Sequence, residues 1–76
     1  MAKSELAQRL QQIVFENNTT TMKDFIDALN PIIVEVELNE SYSTAVKLKI
    51  FDLFTKMCNC EGRERKKYAN KAARLL

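Results

Sequence analysis

The segment MKDFIDALNPIIVEVEL, residues 22–38, admits two readings. Ile32, Val34, Val36 and Leu38 alternate with Glu35 and Glu37, as a half-buried strand would. Taken from its start, the same segment places Met22, Phe25, Ile26 and Leu29 at helical spacing, and Ile33 and Val36 extend that stripe. A single strand would have no evident partner in the chain, so the helical reading is adopted; the alternative is an edge that pairs between two copies. Asn30-Pro31 interrupts the helix, because a residue before proline avoids the α region. The sequence therefore predicts a second helix kinked or broken near Pro31, and Asn30 could equally cap a new helix with Pro31 at its first position.

Outward from this segment the pattern is helical on both sides. Upstream, Ser4 and Glu5 are a cap and a first-turn acid, and Leu6, Leu10, Ile13 and Val14 form one apolar face. That run ends in Asn17, Asn18, Thr19, Thr20 and Thr21, whose side chains compete with helical backbone hydrogen bonds. Thr21 stands three residues before Asp24, close to a capping box. Downstream, Asn39 to Ser41 forms a break and Ser41 or Ser43 caps the next segment. There Val46, Ile50, Leu53, Phe54 and Met57 make a strong stripe, widened by Ala45, Leu48 and Phe51, which points to a central helix. Asn59 to Gly62 supplies a turn in which Gly62 is available for a left-handed cap. Residues 63–75 return to helical composition, with Tyr68, Ala72 and Leu75 on one face. The expected fold is all-α, a compact four-helix bundle forming one domain over residues 1–76.

Composition agrees with this reading and excludes several classes. One glycine and one proline in 76 residues disfavour a many-stranded fold. A chain of this length has room for one core only. The longest uninterrupted apolar run, Ile32 to Val34, is far short of the roughly 20 residues a bilayer needs. Two cysteines one residue apart, Cys58 and Cys60, cannot staple distant segments, and with no N-terminal apolar run the expected setting is reducing and intracellular. A monomer with no membrane association is expected.

No histidine, Gly-rich phosphate loop or Ser/His/Asp set is present, so the chain is expected to be no enzyme and to need no cofactor. Cys58 and Cys60 are two ligands where structural zinc needs four. They are read instead as a small hydrophobe ending the third helix and a turn residue. Glu35, Glu37 and Glu40 read as a solvated acidic face, and Met22 and Met57 as core residues.

Charge is divided along the chain. Residues 1–44 hold three Lys/Arg against seven Asp/Glu, and residues 45–76 hold nine against three. At about 100° per residue, Arg63, Lys66, Lys67, Lys71 and Arg74 fall along one side of the last helix, opposite Tyr68, Ala72 and Leu75. Such a stripe suits a helix lying along phosphates, with Lys47 and Lys49 of the preceding helix assisting. Tyr68 could stack on an unpaired base, although its face points to core packing. The bland reading of the same residues is a soluble exterior. A second functional class is a protein-interaction module in which an apolar groove or Ile32 to Leu38 docks on a helicase or another phage or host protein.

In length, four-helix layout and Asn/Lys/Ile-rich composition the chain resembles the small proteins encoded beside the UvsW recombination helicase of T-even phages. These are similar to the helicase-and-RNase-D C-terminal (HRDC) domain of RecQ-type helicases. The segments that would align are Ser4 to Asn17, Met22 to Leu38, Ser43 to Cys58 and Arg63 to Leu75. The resemblance implies a module that weakly binds single-stranded or branched DNA as an accessory to a helicase in recombination and repair, in the cytoplasm of an infected bacterial host. It implies no contact residue; the basic stripe is nominated on this chain's charge alone.

Overall fold

Three hydroxyl caps and one glycine divide the chain into its helices. A computed structural model describes residues 4–76, and in it α1 spans Glu5–Glu16, α2 Met22–Leu38, α3 Thr44–Cys58 and α4 Arg63–Leu75. Ser4, Thr21 and Ser43 each accept a hydrogen bond from the backbone N–H three residues on, Ala7, Asp24 and Val46, at 3.1–3.2 Å. Each bond satisfies one of the orphan donors of a first helical turn. Of the two candidate caps before α3, Ser43 is the one used. The Ser41 N–H instead donates to the Asn39 side chain at 2.8 Å, forming the bend before it.

Gly62 does not terminate α3. It stands at the N-cap of α4 with φ 62° and ψ −127°, a conformation costly to any residue with a Cβ. Its N–H donates to the Asn18 carbonyl at 2.7 Å, tying the start of α4 to the turn after α1.

The segment 22–38 is one helix, unbroken at Pro31 and without strand. Its buried residues are Phe25, Leu29, Ile32 and Val36, at spacings of four, three and four. This corrects the face expected from sequence. Met22 is 48% exposed and is not core, Ile26 is 39% exposed, and Ile32 is sealed where Ile33 is only partly buried. Pro31 is tolerated because it lies on the solvent side, where water can reach the backbone groups its ring deprives of partners. Pro31→Ala should therefore stabilise the fold by about 1–3 kcal/mol, the interior-proline cost less the chain entropy that proline removes from the unfolded state. A urea midpoint equal to or below that of the parent would contradict this.

Each helix packs against its neighbours in sequence, and α4 closes the ring against α1. α3 is thus not a central helix: it meets α2 and α4 and leaves Leu48 64% exposed. The core is formed by Leu10 and Val14 of α1, Phe25, Leu29, Ile32 and Val36 of α2, Ile50, Phe54 and Met57 of α3, and Ala69 and Ala72 of α4. The alanines let α4 approach closely, and Tyr68 and Leu75 flank them against the core as expected. The radius of gyration is 11.4 Å, about the value for a compact chain of this length. An Arg9–Glu35 ion pair joins α1 to α2, and the Tyr42 hydroxyl donates to the Leu76 carbonyl at 2.9 Å. No helix among the described residues is long and apolar enough to cross a membrane.

Candidate nucleic-acid interface

α4 is charged on both of its long faces, and the two faces do different things. Outward, Arg63, Lys66, Lys67, Lys71 and Arg74, together with Asn70, line a shallow trough of about 350 Å³ along the helix. All six are exposed, and no carboxylate among the described residues lies within ion-pair distance of any of the five cations. From Arg63 to Arg74 the helix advances about 16 Å, the axial rise of roughly five nucleotides of a duplex strand.

Inward lies a cation outside the expected stripe. Arg65 is 1% exposed, the largest side chain among the fully buried ones. Its Nε donates to the Met57 carbonyl at 2.9 Å, and its Nη1 to the Asn17 and Thr20 carbonyls at 2.6 and 3.1 Å. The guanidinium also lies over the Phe25 ring, 4.2 Å from its centroid. Among the described residues no acid pairs with it. Met57 and Asn17 stand at the C-terminal ends of α3 and α1, where carbonyls lack intrahelical partners and the peptide dipoles leave negative partial charge. One planar fork of donors thus joins the ends of two helices, adding to the bonds that the Met57 and Asn17 carbonyls accept from the Cys60 and Thr20 N–H groups. The signal was present in the sequence: Arg65 falls about 20° from Ala72 on the helical wheel and nearly opposite the stripe.

This clasp orients the basic face. With Arg65, Ala69 and Ala72 turned into the protein and Gly62 bonded to Asn18, rotation of α4 is fixed and the trough points to solvent. Lys47 and Lys49 do not line the trough. The Lys47 Nζ donates to the Glu37 carbonyl at 2.7 Å, near the end of α2, and Lys49 is exposed on α3. Tyr68 is half-buried against the core, with the Lys56 and Lys71 ammonium groups 5.8 and 5.6 Å from its ring centroid.

A second concavity adjoins the first. Gln11, Val14, Phe15 and Asn18 of α1 and its following turn, with Lys66, Ala69 and Asn70 of α4, line a cleft of about 340 Å³. Lys66 and Asn70 belong to both. Phe15 is 80% exposed, the most exposed large hydrophobic residue among the described residues. Sequence reading passed over it because it lies off the Leu6, Leu10, Ile13, Val14 face. An aromatic on the polar side of an amphipathic helix is the signal that marks it.

Neither thiol is in a disulfide. Cys58 ends α3 and packs against the core, and burial pushes its pKa up, with the Arg65 charge opposing in part. A thiol so placed is a poor nucleophile at neutral pH.

No family model, curated protein or solved structure matches the chain.

Proposed function

We propose that the chain is a nucleic-acid-binding module which holds a phosphodiester backbone on the outer face of α4 and catalyses no reaction of its own. The observation that carries this reading is the trough lined by Arg63, Lys66, Lys67, Lys71 and Arg74, five cations with no carboxylate partner among the described residues, on a helix whose rotation is fixed. A merely soluble exterior accounts poorly for it. Arg63 stands in the first turn, where a cation opposes the helix dipole, and Arg63–Lys67 and Lys67–Lys71 are like charges at i,i+4. The arrangement costs helix stability, and a polyanion laid along it repays that cost through counterion release. The resemblance described above adds single-stranded or branched DNA as the substrate and a recombination helicase as the associated machine, in an infected bacterial cell.

A specific observation also supports a protein-docking reading. Val34 and Leu38 are 42% and 73% exposed, and with Leu6, Arg9 and Glu35 they border a groove between α1 and α2. Ile32 and Val36 are sealed in the core and take no part in it. Amide shift mapping separates the two. Titration with a DNA fork should move residues 63–75 and leave residues 32–38 in place. A fork that moves none of residues 63–75, at protein concentrations near a millimolar, removes the nucleic-acid reading and leaves the groove as the interface to pursue.

A further inference from the structure

The trough accounts for phosphates but not for the aromatic beside it. Phe15 protrudes from α1 at the mouth of the cleft that shares Lys66 and Asn70 with the basic face. An exposed phenyl ring among charged and amide side chains contributes nothing to folding, since burial is what makes an aromatic stabilising. Its neighbours are Gln11, Asn18 and Asn70, three carboxamides that each carry both donors and an acceptor, the complement a base edge requires. The Gln11 amide donates to the Asn70 side-chain oxygen at 3.5 Å, linking α1 to α4 across the cleft wall.

We propose that Phe15 is a stacking platform for one unpaired nucleobase, which enters the cleft between α1 and α4 while the adjoining phosphates lie on the α4 stripe. The inference rests on the nucleic-acid reading above and deepens it, because it makes the ligand single-stranded. In a duplex every base is already stacked and paired, and a phosphate-only surface does not distinguish the two forms. Three features of the site fit one base and its backbone. The ring face is open, the cleft lies at the small end of the range for ligand sites, about 300–1,000 Å³, and Lys66 sits where the base-bearing and phosphate-bearing surfaces meet. Chemical specificity among bases is expected to be low, since every base offers a π face.

The test uses fluorescein-labelled oligothymidylate of ten nucleotides and a ten-base-pair duplex, titrated at one fixed salt concentration. The proteins are the parent chain, Phe15→Ala, Phe15→Leu and Lys67→Gln/Lys71→Gln. Phe15 is exposed, so its variants should keep the parental circular dichroism and melting temperature. Phe15→Ala should weaken oligothymidylate binding about 5- to 140-fold, the range for one lost base–aromatic stack, and leave duplex binding within twofold. Phe15→Leu should lose nearly as much, because it keeps apolar bulk and removes the π face. Phe15→Trp gives an independent readout: the chain has no other tryptophan, and its fluorescence should be quenched when oligothymidylate binds. If the alanine or leucine variant binds oligothymidylate like the parent while the double lysine variant binds poorly, the platform is overturned and the phosphate-binding face stands. If the parent binds neither oligonucleotide, both readings fall together.

Discussion

Arg65→Met should remove about 2–3 kcal/mol of stability. The side chain is sealed, so the methionine fills similar space. What disappears is the guanidinium that donates to the carbonyls of Met57, Asn17 and Thr20, of which Met57 and Asn17 still accept from the Cys60 and Thr20 N–H groups at 3.3 Å. A buried acceptor left unpaired costs about 1–3 kcal/mol and a hydrogen bond to a charged group contributes about 1.5–3, offset in part by no longer burying a charge that has no acid beside it. A chain of 76 residues is expected to hold about 4–11 kcal/mol in all, so much of the margin goes. The melting temperature should fall by at least about 8 °C, read by far-ultraviolet circular dichroism. Arg65→Lys sharpens the test. It keeps the positive charge at the two helix ends but presents a compact ammonium in place of the fork, and should recover only part of the loss. A melting temperature for Arg65→Met within about 5 °C of the parent would show that the clasp is incidental.

Lys67→Gln/Lys71→Gln should produce the opposite separation, with binding lost and stability kept or gained. Glutamine has nearly the helix propensity of lysine, and the change relieves the Arg63–Lys67 and Lys67–Lys71 repulsions. The one contact forfeited is that of the Lys71 ammonium with the Tyr68 ring, a minor contribution at an exposed site. If both lysines engage phosphates, the slope of log K against log salt should flatten by about 1.4 on single strands or 1.8 on duplex. At 0.1 M salt that corresponds to about 25- to 60-fold in affinity when counterion release alone supplies the effect. The loss should be uniform across sequences, since phosphate contacts carry no base identity. A folded double variant with unchanged affinity and salt slope would make the two lysines ordinary surface residues.

Much of the fold was legible in the sequence because helices and their ends are written locally. The caps at Ser4 and Thr21, the stripe of Ile50, Phe54 and Met57, and the helical character of residues 22–38 all follow from spacing and side-chain chemistry. What was not legible depends on rotation and on partners distant in the chain. The buried face of α2 runs through Ile32 rather than Met22 because the ring of helices meets only one side of it, and an apolar stripe wider than that contact does not say which edge is sealed. The basic residues of the last helix were found as a group, but charge alone does not show which cation turns inward. Arg65 is told from its five neighbours only by its angle to Ala72 and by acceptors 45 and 48 residues away. Lys47 and Lys49 lie on the neighbouring helix α3, yet neither borders the trough of α4, because adjacency of two helices does not say which of their faces share a side.

The arginine clasp also bears on how far such a sequence can drift. Its three well-made hydrogen bonds all go to main-chain oxygens, which every residue type supplies. Asn17 and Thr20 can therefore be exchanged without removing a main-chain acceptor, and only the longer 3.4 Å contact to the Thr20 hydroxyl is lost. A single residue inserted between them would carry one carbonyl out of reach of Nη1. For this turn, the spacing of the chain is the constrained quantity and its lettering is largely free. Distant descendants of the fold would then be found more readily by an arginine three places after a glycine, and by a turn of fixed length between the first two helices, than by residue-for-residue agreement.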